Sequence, residues 1–303
     1  MTMTIDSSKL EPGPGFSHIS TKRKATNRVA SVIISSSVAF ALIPLMWVLY
    51  TVISRGIGAV ANATWWTTSQ KGVLYSVEGG GALHAIIGTA TQTAICSLIS
   101  IPVGVATAIY LVEYAGNSRL GKITTFMVDI LTGVPSIVAA LFVYSLWIVL
   151  FGFDRSGIAV SLALVILMIP VIIRNTEEML RVVPHDLREA SYALGVPKWK
   201  TIVKIVLPTA LSGIVTGVML AIARVMGESA PVLILVGSTQ SINWDPVHGP
   251  QSSLPLMMLD MFKAGTAPAV LDKLWGAALT LVFIIALLNI GARWISAKFA
   301  TKH

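Results

Sequence analysis

RNTEEMLRVVPHDLREASYALGVPKWKTIVKIVLP (Arg174–Pro208) is a polar stretch carrying six Lys or Arg residues between two apolar runs. The run before it, Ile158–Ile173, is short and ends with Pro170; the run after it is Pro208–Val236. A helix that crosses the hydrocarbon core of a bilayer needs about 20 largely apolar residues. The pattern therefore reads as two membrane spans joined by a large polar connection. Four more spans follow by the same criterion: Ala30–Ile53, His84–Val112, Val134–Phe151 (or from near Lys122) and Leu274–Ala292.

Composition agrees. Of the 303 residues 54% are apolar and 12% charged, against about 25% charged in a soluble domain, and the mean hydropathy is +0.78. These values exclude an ordinary soluble enzyme, a disordered chain and a disulfide scaffold. The expected fold is an all-α integral membrane protein with six transmembrane helices. Its lone cysteine, Cys96, cannot form an intrachain disulfide, and the five scattered histidines give no metal site. No cofactor and no nucleic acid is expected.

The net charge of +8 is a matter of topology. Sixteen of the 22 Lys and Arg residues fall in segments 1–29, 113–122, 174–207 and 293–303, and five in 54–83, 152–157 and 237–273. Cytoplasmic loops collect Lys and Arg, so both termini are expected in the cytoplasm. The chain then divides into a cytoplasmic tail (1–29, flexible over 1–20), a first span (30–53), a core of five spans (84–292) with its cytoplasmic loop 174–207, and a second tail (293–303). The first span is too long for a signal h-region of about 7–15 residues, although Ala59-Val-Ala61 loosely resembles a cleavage site. Trp65 and Trp66 read as anchors at the outer interface.

Within the polar stretch, Pro184 and Asp186 begin a helix whose Leu187, Ala190 and Leu194 share one face. Gly195 ends it, and Pro197 opens a basic helix leading into the fifth span. A partner protein or a lipid surface would each explain such a segment. In the fifth span Arg224 and Glu228 stand four apart, which predicts one helix face. Arg224 lies about 24 Å along the helix from Pro208. A charge at that depth costs about 2.5–3.5 kcal/mol on insertion scales. Either the two form a structural ion pair, or they build an anion site in which the planar Arg fork binds an oxyanion and Glu228 limits the affinity. Asp129 reads as a residue of the cytoplasmic interface, or as one lining the pathway if the third span begins near Lys122. Gly133, Pro135 and Ser136 mark a kink that offers backbone groups to the pathway, or packing alone. Gly213-x-x-x-Gly217 permits close helix contact and is also a common chance match.

The order Glu189-Ala190-Ser191, three residues, Gly195, nine residues, Ile205-Val-Leu207-Pro208 resembles the EAA loop of ABC importer permeases. Ser191 departs from its second Ala, a small-for-small change. Ala223-Arg224-x-x-Gly227-Glu228-x-Ala230-Pro231, Ala108-Ile-Tyr-Leu-Val-Glu113-Tyr-Ala, Gly133-Val-Pro135-Ser136-Ile-Val and Ser253-Leu-Pro255-Leu are similar to the phosphate-specific permeases of that class. The resemblance covers roughly residues 80–295. It implies a type I ABC importer permease fold and a role in ATP-driven import of inorganic phosphate across the cell membrane. It also implies a second related permease, two copies of a cytoplasmic ATPase and an extracytoplasmic phosphate-binding protein. The outer loop 237–273 is long enough to receive that protein, or is an inert connection. Coupling to the ATPase falls on Glu189, Ala190, Ser191, Gly195, Leu207 and Pro208, and the substrate pathway on Arg224, Glu228, Gly133, Pro135 and Ser136. The chain holds no G-x-x-x-x-G-K-[ST] phosphate loop, as expected of a transport subunit that is not itself an enzyme. Rival readings are a permease for sulfate or molybdate, and a passive anion channel. No H-E-x-x-H motif or Ser–His pairing within the spans supports an intramembrane enzyme.

Overall fold

The computed structural model describes residues 20–299, all helix and connection with no strand among them. The tail expected at 1–20 falls, but for Ser20, outside the described residues, as does 300–303 of the C-terminal tail. The chain divides into two compact units, Met1–Thr51 and Val52–His303. The described part of the first is a helix whose apolar side chains, among them Phe40, Trp47 and Tyr50, are exposed.

Helix α1 (Thr21–Val60) runs on into the second unit. There follow α2 (Ala63–Thr67), α3 (Leu83–Ile109), α4 (Arg119–Thr132), α5 (Ser136–Val143), α6 (Gly157–Val182), α7 (His185–Ala193), α8 (Lys198–Thr201), α9 (Leu207–Met226), α10 (Ala230–Leu235), α11 (Leu254–Ala264) and α12 (Pro268–Phe299). Wide π-type turns extend α3 to Tyr114 and α5 to Leu150, and join α8 to α9 through Ile202–Val206. At the last of these, Pro208 has no N–H to return to the preceding turn, which favours the wider register. Five helices are long and apolar enough to cross a membrane, or six if α4 and the extended α5, bent by 105° at Gly133–Pro135, count as one.

Two spans differ from their sequence reading. Pro170 does not end the fourth: α6 continues through it to Val182, so the first residues of the expected loop are helical. The fifth does not run unbroken to Val236: α9 stops at Met226, and α10 begins at Ala230.

Helices α3 and α6 form the centre and run in the same direction. At one end the Ser161 hydroxyl donates to the Gln92 carbonyl (3.3 Å); at the other, Glu113 and Leu180 share Arg188 as a partner. Between them Cys96, Met168 and Ile172 pack in one fully buried cluster with α9 and α10. Gly213 and Gly217 face α6: a Cβ at either would meet Met179 Sδ at 2.2 Å or Asn175 Cβ at 2.6 Å. The GxxxG spacing therefore marks a close helix contact.

A second cluster surrounds Trp65, which is 3% exposed and donates from Nε1 to Thr280 Oγ1 at 2.8 Å. Trp65 is thus a core residue rather than an interface anchor. The connection between α10 and α11 also turns inward. Gln251, Ser252 and Ser253 are buried, Gln92 Nε2 donates to Gln251 O (3.3 Å), and Leu254 N donates to Thr89 Oγ1 (2.8 Å). The close approach requires Gly88, where a Cβ would stand 1.8 Å from Ser252 O. Gly88→Val is expected to destabilise the protein by more than about 4 kcal/mol, seen as loss of the monodisperse folded species in detergent. Gly58→Val, with nothing within 4 Å of its Cβ, serves as the tolerated control; equal behaviour of the two would refute the packing argument.

Candidate functional site: an anchored helix and two broken spans

Helix α7 begins after Pro184 and ends on Gly195, whose φ of +74° is a conformation that side-chain-bearing residues rarely adopt. Gly195 N donates to Tyr192 O (2.9 Å) and Val196 N to Ser191 O (3.2 Å), closing the end before α8 starts. One face of α7 holds it to the bundle. Arg188 donates from Nε and Nη2 to Glu113 Oε1 (3.1 and 2.7 Å), from Nη1 to Val183 O (2.8 Å) and from Nη2 to Leu180 O (3.0 Å). Both side chains are nearly buried, 10% and 5% exposed. Lys198 hydrogen-bonds the Glu113 carbonyl and lies 4.9 Å from the centre of the Tyr114 ring.

Ser191 is buried, and its hydroxyl meets that of Thr201 at 2.8 Å. The departure from the EAA pattern is therefore compensated across the reversal from α7 to α8. The face with Glu189, Ala190 and Leu194 is bare: all three are exposed, Leu194 to 83%. Leu187 and Tyr192, at its flanks, are exposed as well. Leu207 and Pro208 are half-buried at the start of α9, away from that face in the chain.

The pathway candidates lie at two helix breaks. Gly133 ends α4 with φ −87° and ψ −5°, and Pro135 caps α5. Gly227 ends α9 with the same angles, and Pro231 stands in the first turn of α10. The two breaks are related in space, because α5 packs against α10. Gly133, Pro135 and Gly227 are exposed, and Ser136 and Glu228 half-buried.

Of the two readings of Arg224 and Glu228, the ion pair is not formed: none joins them among the described residues. The reason is local. Gly227 and Glu228 donate to Arg224 O and Val225 O (3.1 Å each) in a tightened last turn, so Glu228 lies past the end of the helix that carries Arg224. Arg224 is instead exposed, the last member of a stripe Ser212, Thr216, Leu220 and Arg224 along α9.

Two charged groups that sequence reading undervalued matter here. Neither Glu113, just past the expected second span His84–Val112, nor Arg188 carries a role of its own in the sequence reading. They are 75 residues apart, and no local spacing joins them. Asp129, expected at the interface, pairs with Arg174; Arg174 also bonds Glu177 (2.8 Å), which in turn bonds Arg181 (3.1 Å). These charges tie α4 to α6. In the α10–α11 connection a hydrogen bond from His248 (2.9 Å) holds the Asp245 carboxyl below the usual carboxylate range.

The chain is thus a bundle of long apolar helices with two broken spans and a short helix anchored at one end, an arrangement that its relatives place among transport permeases. Residues 100–302 match the family model of the binding-protein-dependent transport system inner membrane component, and the chain belongs to that family. It is 52% identical over 280 residues to the phosphate transport system permease protein PstA 1 of Mycobacterium tuberculosis (strain CDC 1551 / Oshkosh), covering 92% of this chain and 91% of that protein. It is 39% identical to the PstA of Yersinia pestis, over 93% and 92% of the two chains. The fold is that of type I ABC importer permeases. It resembles a chain of a bacterial alginate ABC transporter (TM-score 0.62, 13% identity, 93% and 98% covered) and of the MetNI methionine ABC transporter (TM-score 0.56, 21% identity, 73% and 95% covered).

Glu113→Ala leaves the buried Arg188 guanidinium without its counter-charge, at an expected cost of about 3–5 kcal/mol. Amide exchange should quicken across residues 185–193 while the centre of α6 keeps its protection. Unchanged exchange in α7 would show that the ion pair does not hold it.

Proposed function

We propose that this chain is the membrane-spanning permease subunit of an ATP-driven importer of inorganic phosphate and forms half of its translocation pathway. The observation that carries the reading is the exposed stripe of α9. Lipid does not accommodate an unpaired guanidinium at its end cheaply, so Arg224 faces a second related permease and the water-filled path between the two. Helix breaks suit such a path, since irregular backbone is tolerated within a membrane only where protein or water covers it. Arg224, Gly133, Pro135, Ser136 and Glu228 line it in this reading. The guanidinium supplies parallel donors to a tetrahedral anion. Phosphate is assigned as the cargo from the relatives named above.

The bias of basic residues puts the α7 end, and both termini, in the cytoplasm. There the bare face of α7, with Glu189, Ala190 and Leu194, seats one of two copies of a separate ATPase. Movement of that ATPase on ATP binding passes through Arg188 to Glu113 on α3 and to the end of α6, and so reaches both central helices. Ser191 and Gly195 keep the platform in shape, and Leu207 and Pro208 join it to α9. An extracytoplasmic binding protein delivers phosphate at the opposite end, where the α10–α11 connection exposes Trp244 and Val247.

The test is uptake of radiolabelled phosphate by proteoliposomes holding the complete transporter, with ATP hydrolysis followed in parallel. Wild type should take up phosphate only with ATP. Arg224→Gln should lower uptake roughly ten- to hundredfold, the worth of a charge-assisted hydrogen bond, with assembly retained. Unchanged uptake would leave Arg224 a packing role. Competition by sulfate or molybdate at equal concentration would redirect the assignment to another oxyanion, and ATP-independent flux would favour a passive channel.

Gly195→Pro tests the platform. Proline fixes φ near −65°, against the +74° found here, and removes the N–H that bonds Tyr192 O. Uptake should vanish while membrane insertion persists; full uptake would show that α7 is not the coupling element.

A further inference from the structure

A cavity of about 700 Å³ opens beside α7, lined by Glu113, Arg181, His185, Arg188, Tyr192 and Lys198. Its size is that of a small-molecule site, and its charge is unbalanced. Glu113 is consumed by Arg188, which spends its own donors on that carboxylate and on two backbone carbonyls. Arg181 is 68% exposed and uses only Nη2, toward Glu177. Lys198 gives one hydrogen bond, to the Glu113 carbonyl, and keeps the rest of its ammonium donors. His185 is exposed and has no hydrogen-bond partner among the described residues.

These groups come from α6, α7 and the start of α8, so they approach the cavity from different directions. A planar carboxylate would meet one or two of them. A phosphoryl group presents several oxygens in a tetrahedral array and can engage an Arg fork, a Lys point charge and an imidazole together. We infer that this cavity binds a phosphoryl anion, separate from the path along Arg224. Two sources share that chemistry: inorganic phosphate in the cytoplasm, and the headgroup of an anionic glycerophospholipid at the membrane surface. The ligand would compete with Glu113 for Lys198 and Arg188, and thereby act on the anchorage of α7. Access from the cytoplasm rests on the orientation proposed above.

The experiment uses the complete transporter in phosphatidylcholine nanodiscs, with Asn117→Cys placed in the cavity wall. The rate of its modification by N-ethylmaleimide is read by peptide-resolved mass spectrometry. Inorganic phosphate and dihexanoyl phosphatidylglycerol are titrated separately at constant ionic strength. At least one should slow modification saturably, about threefold once it reaches twice its Kd. Slowing by phosphate identifies the soluble ligand; slowing by the lipid alone identifies the headgroup. Added Arg181→Gln and Lys198→Gln should abolish the effect, and Arg181→Lys with Lys198→Arg should keep it. No slowing by either probe, or equal slowing in the Gln pair, would overturn the site. The readout is local occupancy, so a negative result leaves phosphate import untouched, and failure of import in the uptake assay leaves this measurement valid.

Discussion

The ion pair between Arg188 and Glu113 is the constraint around which the α7 end is arranged. Burying a guanidinium and a carboxylate costs several kcal/mol per ion, repaid only with excellent geometry and further hydrogen bonds. Here both conditions hold: two bonds run to the carboxylate and two to backbone carbonyls near the end of α6. The pair therefore fixes three elements at once, α3 through Glu113, α6 through Leu180 and α7 through Arg188 itself. Its value lies less in net stability than in making α7 an extension of the two central helices. A helix tied only by apolar contacts could slide; one tied by directed bonds keeps its register against α3 and α6.

The two helix breaks follow the opposite strategy. Around Gly133 and Gly227 the helical ladder is interrupted and backbone is left open. In lipid each unsatisfied backbone group costs several kcal/mol. Breaks of this kind are sustainable only where lipid is kept away, and the exposed stripe of α9 leading to Arg224 lies beside one of them. Anchorage at α7 and open backbone at the breaks are thus opposite in kind: one joins three elements by directed bonds, the other interrupts the helical ladder beside an exposed glycine.

Much of this was legible in the sequence, for physical reasons. Hydropathy located the spans because lipid demands it, and Pro184, Gly195 and Pro197 bounded α7 because each restricts the backbone locally. The bare apolar face of α7 followed from the spacing of Leu187, Ala190 and Leu194. What escaped was long-range or depended on continuity of helix. Arg188 and Glu113 meet across 75 residues. Trp65 finds its place through Thr280, and the buried connection after Pro250 through Gln92, which donates to Ser252 O, and Thr89, which accepts from Leu254 N. The Arg224–Glu228 expectation assumed that helical spacing persisted across Gly227, and there it does not.

That assumption and the misreading of Pro170 are two sides of one question: when does a proline break a membrane helix? Proline removes one backbone donor and crowds the preceding turn. At Pro135 and Pro231 a glycine lies two or four residues upstream, where backbone freedom lets the chain turn, and the glycines are exposed. At Pro170 the residues before it are Leu167, Met168 and Ile169, and α6 is packed on most sides, with Met168 and Ile172 fully buried. Bending there would open cavities around large side chains, at about 24 cal/mol per Å³ of void. Proline alone does not break a helix here: α1 runs through Pro44 with its neighbours exposed, and α3 runs through Pro102. What the two broken spans share is a glycine two or four residues before the proline, and α6 has none there before Pro170.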